Sequence, residues 1–166
     1  MRASICILLL FSSACTIARL PPTPVTGTVR AVSGDPIQGV TVALRMSFYA
    51  PLCCDQNLIL QLTRTGADGT YRFAKEADWD FHFPVEFRDY YVVVLHPLYK
   101  TEDSRRSPET SQPIDMALEP RNPSWDWLEA DCFSLCLGVS TADCRRAAEF
   151  HFGDKTRCNG WLRNPP

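Results

Sequence analysis

The sequence predicts a mainly β fold: a sandwich of two sheets followed by a helical hairpin. Three observations carry this. Apolar residues alternate with polar ones in short runs along the first two thirds of the chain. Turn-forming clusters separate those runs, within a total of thirteen prolines and eight glycines. After Pro120 the apolar spacing lengthens to that of a helix. Period two marks a strand with one buried and one wet face, and a period near 3.6 marks an amphipathic helix. At 166 residues and 45% hydrophobic content, one sandwich with an appendage can bury a core.

The first strand is read in Val25, Gly27 and Val29, which alternate with Thr26, Thr28 and Arg30. Ser33-Gly-Asp-Pro36 supplies turn chemistry. Val40, Val42 and Leu44 alternate next, and are expected to return antiparallel on the first strand. Met46 to Asn57 breaks the pattern and reads as an inserted loop holding Cys53 and Cys54. Leu58, Leu60 and Leu62 give a third strand. Asp68-Gly69 is a two-residue hairpin signal leading into Tyr71 and Phe73. Ala74 to Arg88 is irregular and aromatic, and Pro84 argues against a central strand there. Tyr90 to Leu95 is apolar at every position, which suits a strand in mid-sheet covered on both sides. Thr101 to Gln112 reads as an exposed loop. Ile114, Met116 and Leu118 form a last strand, stopped by Pro120.

Beyond Pro123, Ser124 can cap a helix, with Asp126 and Glu129 near its positive end. Gly138 is placed for a C-terminal cap. Ser140 with Asp143 starts a second helix reaching about Phe152, and Gly153 stops it.

The N-terminus reads as an export signal over residues 1–14. Arg2 precedes the apolar run Ile5 to Phe11, which is too short to span a bilayer as a helix of about 20 residues. Ser12-Ser-Ala-Cys15 resembles the bacterial lipobox, in which the cysteine is lipidated and becomes the new N-terminus. Ser12 stands where that pattern prefers Leu, so ordinary cleavage after Ala14 or Ala18 stays open. Thr16, where an Asp would mark inner-membrane retention, resembles outer-membrane sorting. The expected location is the cell envelope, anchored in the outer membrane and facing the periplasm or the surface. The alternative is a soluble secreted or periplasmic protein. Residues 15–24, rich in proline, would form an extended tether.

Gly34 to Leu44, reading Gly-x-Pro-Ile-x-Gly-Val-x-Val-x-Leu, and Thr65 to Phe73, reading Thr-x-x-Asp-Gly-x-Tyr-x-Phe, resemble the carboxypeptidase regulatory-like domain. His96-Pro-Leu-Tyr99 resembles that family's Tyr-bearing turn. The resemblance covers residues 25–120 and implies a Greek-key, transthyretin-like sandwich. Residues 121–166 fall outside it as a Cys-rich helical extension. The family's domains act as folding companions, spacers and binding modules. The shared residues belong to turns and core, so they imply a fold and say little about a ligand.

Of eight cysteines, Cys6 leaves with the signal and Cys15 is lipidated or spare. Cys53, Cys54, Cys132, Cys136, Cys144 and Cys158 remain, an even set that implies three disulfides among 15 pairings. Adjacent cysteines strain the ring they close, so Cys53 and Cys54 are each expected to reach the tail and staple it to the sandwich. The rival is a zinc site, since Cys132 and Cys136 share a helical face. An oxidising compartment favours disulfides.

Formal net charge is −2, and no basic surface suggests nucleic acid. Serine-hydrolase elbows, zinc-protease helices and phosphate-binding loops are missing from the sequence, and no cofactor is implied. Transthyretin-like hydrolases end in Tyr-Arg-Gly-Ser, whereas this chain ends Arg163-Asn-Pro-Pro. His82, beside Asp78 and Asp80, has the residue types of an acid-base pair, though an exposed or hydrogen-bonded histidine is the simpler reading. Trp79 and Trp125, each next to an Asp, resemble stacking platforms for sugar rings. Burial of the tryptophans between sandwich and hairpin is the plainer account. The expectation is a non-catalytic envelope module with a membrane anchor and an envelope protein or glycan as partner. A carbohydrate-binding module is the alternative, and a small hydrolase the third.

Overall fold

A computed structural model describes residues 24–50, 54–73, 86–106, 112–122 and 127–163. Among the described residues seven strands come first: β1 (Val25–Ala31), β2 (Thr41–Ala50), β3 (Cys54–Arg64), β4 (Thr70–Phe73), β5 (Glu86–His96), β6 (Tyr99–Arg106) and β7 (Met116–Leu118). Three helices follow: α1 (Trp127–Cys136), α2 (Thr141–Phe152) and α3 (Asn159–Arg163). The fold is mainly β. One sheet has the order β4-β1-β7 and the other β3-β2-β5-β6.

The alternation read in β1, in β2 as far as Leu44, and in β4 places core residues; in β3 it fails, because at the register shift the strand turns over and Leu62 packs with Ile59 on the side away from Leu58 and Leu60. Val25, Val29 and Ala31 of β1 face inward, as do Tyr71 and Phe73 of β4. Val42, Leu44 and Met46 of β2 meet them from the second sheet, with Tyr90, Val92 and Val94 of β5. Gly27 sits where β1 passes close to the chain before β7. A Cβ there would lie 1.9 Å from the Ile114 carbonyl oxygen, which accepts a 2.8 Å hydrogen bond from Tyr71 Oη.

Several local expectations are corrected. β2 does not return on β1; β1 pairs with β4 and, in parallel, with β7, while β2 pairs with β3 and β5. The chain between β1 and β2 crosses from one sheet to the other. Thr65 clasps this crossing: its hydroxyl donates to Ile37 O at 2.7 Å and accepts from Val40 N–H at 3.0 Å. Asp68-Gly69 is likewise a turn between sheets, because β3 and β4 belong to different ones. Gly69 takes φ 76°, and Asp68 Oδ1 accepts from both the backbone and the hydroxyl of Thr70.

Met46 to Asn57 is not a loop. It extends β2 and β3 into a long hairpin, with Ala50 opposite Cys54. Thr101 to Arg106 is strand β6, at the edge of the sheet beside β5. Its polar alternation hides a strand with one face toward solvent and the other toward polar partners.

β5 lies between β2 and β6, as its apolar run implied. Val93 and Leu95 point away from the sandwich into a second core. There they meet Ala43 and Ile59 on the sheet and Leu135, Ala147 and Ala148 on the helices. α2 begins and ends as read: Ser140 Oγ accepts from Asp143 N–H at 3.1 Å, and Gly153, at φ 73°, donates to Glu149 O. Gly138 follows α1 with φ 69°. No helix among the described residues is long and apolar enough to cross a membrane.

The helical region is stapled to itself. Cys132 bonds Cys158 and Cys136 bonds Cys144. This corrects the expectation that Cys53 and Cys54 reach the tail, since all four tail cysteines pair with one another. It also leaves Cys132 and Cys136 no thiolates to offer a metal. Cys53 and the side chain of Cys54 lie outside the described residues.

Candidate functional site

The helices sit on the sheet through hydrogen bonds as well as apolar contact. Arg45 projects from β2 toward α1 and donates from Nη1 to Ser134 O at 2.6 Å and from Nη2 to Leu137 O at 2.5 Å. These carbonyls belong to the helix end, where backbone acceptors lack partners and the dipole is negative. Asn57 N–H donates to Gly138 O at 2.9 Å. Arg64 Nη2 donates to Phe150 O at 2.7 Å, near the end of α2, with its guanidinium over the Phe150 ring. Arg146 reaches back from α2 to Ile59 O at 2.6 Å, beside a bulge between Leu44 and Arg45.

Behind Arg45 lies a buried charge cluster. Asp131 on α1 is fully buried. Its Oδ1 pairs with Arg121 and accepts from Thr101 Oγ1 at 2.7 Å, and its Oδ2 lies 3.3 Å from His151 Nε2. Burial pushes the Asp131 pKa up. Hydrogen bonds from His151, Arg121 and Thr101 and the Arg121 charge outweigh it, and the carboxyl titrates below its ordinary range. Arg121 also donates from Nε to Tyr99 O. One acid thereby ties α1 to β6, to α2 and to the segment after β7.

The other nitrogen of His151, Nδ1, lies 2.9 Å from Thr41 Oγ1. Thr41, His151 and Asp131 thus stand in the order of hydroxyl, imidazole and carboxylate that acyl-transfer enzymes use. Accessibility argues against that role. Thr41 is 1% exposed and Asp131 0%, so no substrate reaches the hydroxyl. The arrangement serves as a dry joint between sheet and helices.

An open cleft of about 260 Å³ adjoins this joint between β6 and α1. Thr101, Glu102 and Asp103 line one wall, and Phe133, Ser134 and Leu137 the other, with Arg45 and Val93 from β2 and β5. Val93 is the cross-strand partner of Asp103, and Arg45 that of Tyr91. Phe133 and Leu137, one helical turn apart, are 43% and 44% exposed. Trp161 of α3 meets Phe133 edge to face at 6.2 Å and is partly buried against the second core, in line with the expectation of packed tryptophans. Burial pushes the Arg45 guanidinium down from its ordinary value, opposed by Asp103 and Tyr91.

Of the residues singled out in the sequence, Cys15, Cys53, Trp79, His82 and Trp125 lie outside the described residues, as do the signal and nearly all of the tether. Cys132, Cys136, Cys144 and Cys158 are brought together in two bonds. His96 accepts from Leu98 N–H at Nδ1 and packs edge to face on Tyr99. Its pKa is lowered by burial, then by the nearby His151 and Arg121 charges. Among the described residues no group of three or more His, Cys, Asp or Glu could hold a metal ion.

Sequence reasoning missed Arg45, Thr101, Arg121 and Asp131. One signal was available for Asp131. Leu128, Asp131 and Leu135 recur at helical spacing, so the acid falls on the apolar stripe of α1. A carboxylate there requires a buried partner. Compared with known proteins, the chain matches no family model and no curated sequence.

Proposed function

We propose that this chain is a non-catalytic module of the cell envelope, built on a Greek-key, carboxypeptidase regulatory-like sandwich and anchored through a lipid on Cys15. It works by holding a fixed surface toward an envelope partner, protein or glycan. One observation carries the reading: the acid-base set of Thr41, His151 and Asp131 is sealed between sheet and helices, while the open cleft beside it is built on two rigid elements. Binding surfaces are commonly held this way by a rigid scaffold. The two disulfides support an exported, oxidising setting.

The test has two parts. Mass spectrometry of the processed chain should find an N-terminal Cys15 carrying diacylglycerol; an N-terminus at Arg19 removes the anchor. The chain, immobilised through its N-terminus, should retain a specific envelope component. Hydrolytic turnover of ester or amide substrates that disappears in His151→Ala would overturn the non-catalytic reading.

A further inference from the structure

We infer that the turn between β5 and β6 is an acid-sensitive latch on α1: a proton taken up by His96 opens the turn and loosens the helix it holds. The latch is independent of what the module binds. It sets the conditions under which the helical region sits firmly on the sheet.

The argument starts from one hydrogen bond. Leu98 N–H donates to His96 Nδ1 at 3.2 Å. A backbone N–H can only donate, so Nδ1 must carry its lone pair and the imidazole is neutral. An imidazolium has hydrogen on both nitrogens and cannot accept. A proton at Nδ1 therefore sets N–H against N–H, and the turn loses this bond. The residues that follow carry the joint. Leu98 O accepts from Arg121 N–H at 2.9 Å, and Tyr99 O accepts from Arg121 Nε. Arg121 holds Asp131 of α1, and Thr101 donates to the same carboxylate at 2.7 Å. Each link from the turn to α1 is thus a direct hydrogen bond or ion pair.

The surrounding charges work in the same direction. His96 is faced by His151 from α2, Arg121 from the segment after β7 and Asp131 from α1. Burial holds its pKa below the ordinary value, His151 and Arg121 add to this, and Asp131 opposes it. Asp131 stays charged in mild acid, because its own pKa is lowered, and both its oxygens are already engaged. Lys100 and Glu119, beside the turn, are paired with each other. A proton on His96 therefore adds a cation near Arg121 that no uncommitted anion meets. A proton on His151 would instead meet Asp131 directly. The sign follows: the contribution of His96 is whole above 6.5 and is lost as pH falls through its folded value. The loosening should begin at the Asp131 end of α1. The other end is tied by the Arg45 guanidinium, which keeps its charge, and both disulfides hold the helices together as they move.

The test is amide hydrogen exchange of the oxidised full chain by NMR at about pH 7.5 and about pH 5.5, corrected for intrinsic exchange. The amides of Leu98, Asp131 and Cys132 should open about fivefold more readily in acid, the effect of losing roughly one hydrogen bond. Val42 and Val92 in the sandwich should stay slower than α1 at both values. In His96→Asn the side-chain oxygen can still accept from Leu98 N–H but does not titrate. That variant should keep the neutral-pH rates and lose the acid response. A second measurement needs no variant and decides the matter should His96→Asn disturb folding: the His96 ring should titrate with the same midpoint as the Leu98 and α1 amides. An α1 that does not respond to acid overturns the inference, as does a response that survives in His96→Asn. A midpoint that follows His82 or His151 overturns it too. Exchange of Val42 as fast as that of α1 in acid would mean global unfolding and would also overturn it.

Discussion

The two faces of the four-stranded sheet are covered by different means. Toward the three-stranded sheet, Val42, Leu44, Met46, Val92 and Val94 pack against aliphatic and aromatic side chains. Toward the helices, Ala43, Val93 and Leu95 meet alanines, cysteines and Leu135, and Arg45 lies among them. The first face is held by non-directional burial, which tolerates volume-conserving exchange. The second uses small residues that let the helices approach, then fixes their position by hydrogen bonds from arginines to backbone carbonyls. Such bonds specify a register, because each needs one oxygen in one place.

Substitutions can break this contrast in order of expected effect. Asp131→Ala should cost about 3–5 kcal/mol in urea unfolding, since it leaves Arg121 and His151 facing a void without their anion. Phe73→Ala on the sandwich face should cost about as much, through a cavity. The two should differ in kind: Asp131→Ala should release amide protection in α1 and α2 first, and Phe73→Ala should lower it throughout. Equal patterns would erase the distinction.

Cys132→Ser with Cys158→Ser opens a bridge spanning 26 residues, worth about 3.5 kcal/mol by chain entropy. Its effect should fall on helix protection and leave β2 and β5 nearly unchanged. Arg45→Met keeps the apolar stem and loses both carbonyl bonds, with an expected cost of about 1.5–3 kcal/mol in the same assay. Ser140→Ala should cost about 1 kcal/mol through the lost cap of α2.

Acid should also act on the helical face. His96 has a lowered folded pKa, so the unfolded chain takes up its proton first and stability falls as pH drops below the ordinary value of 6.5. Asp131 also has a lowered folded pKa. Its contribution is whole above the ordinary value of 3.8 and is lost as pH falls through the folded value. A stability curve flat from pH 7 to pH 3 would contradict both.

Much of the first face was legible in the sequence, because period two and burial coincide in β1, β2 and β4. The unbroken run Tyr90 to Leu95 even announced that its sheet has two covered faces. Sheet membership was not legible. Gly39 and Thr65 mark a crossing between sheets, yet the same residue types also make hairpins. β6 escaped notice because Thr101 and Asp103 face a polar joint and a cleft rather than oil. The joint itself escaped because Asp131 finds Thr101, Arg121 and His151 at separations that no local pattern encodes.

Both sulfur bridges begin and end within the last 35 residues, and this sets how the molecule comes apart. A single proteolytic clip between Asn122 and Trp127 would leave two pieces joined by no covalent bond through these four cysteines. The fragments would stay together in native buffer and separate in denaturant without any reducing agent. Non-reducing electrophoresis of the clipped chain would show two bands where a bridged molecule would run as one.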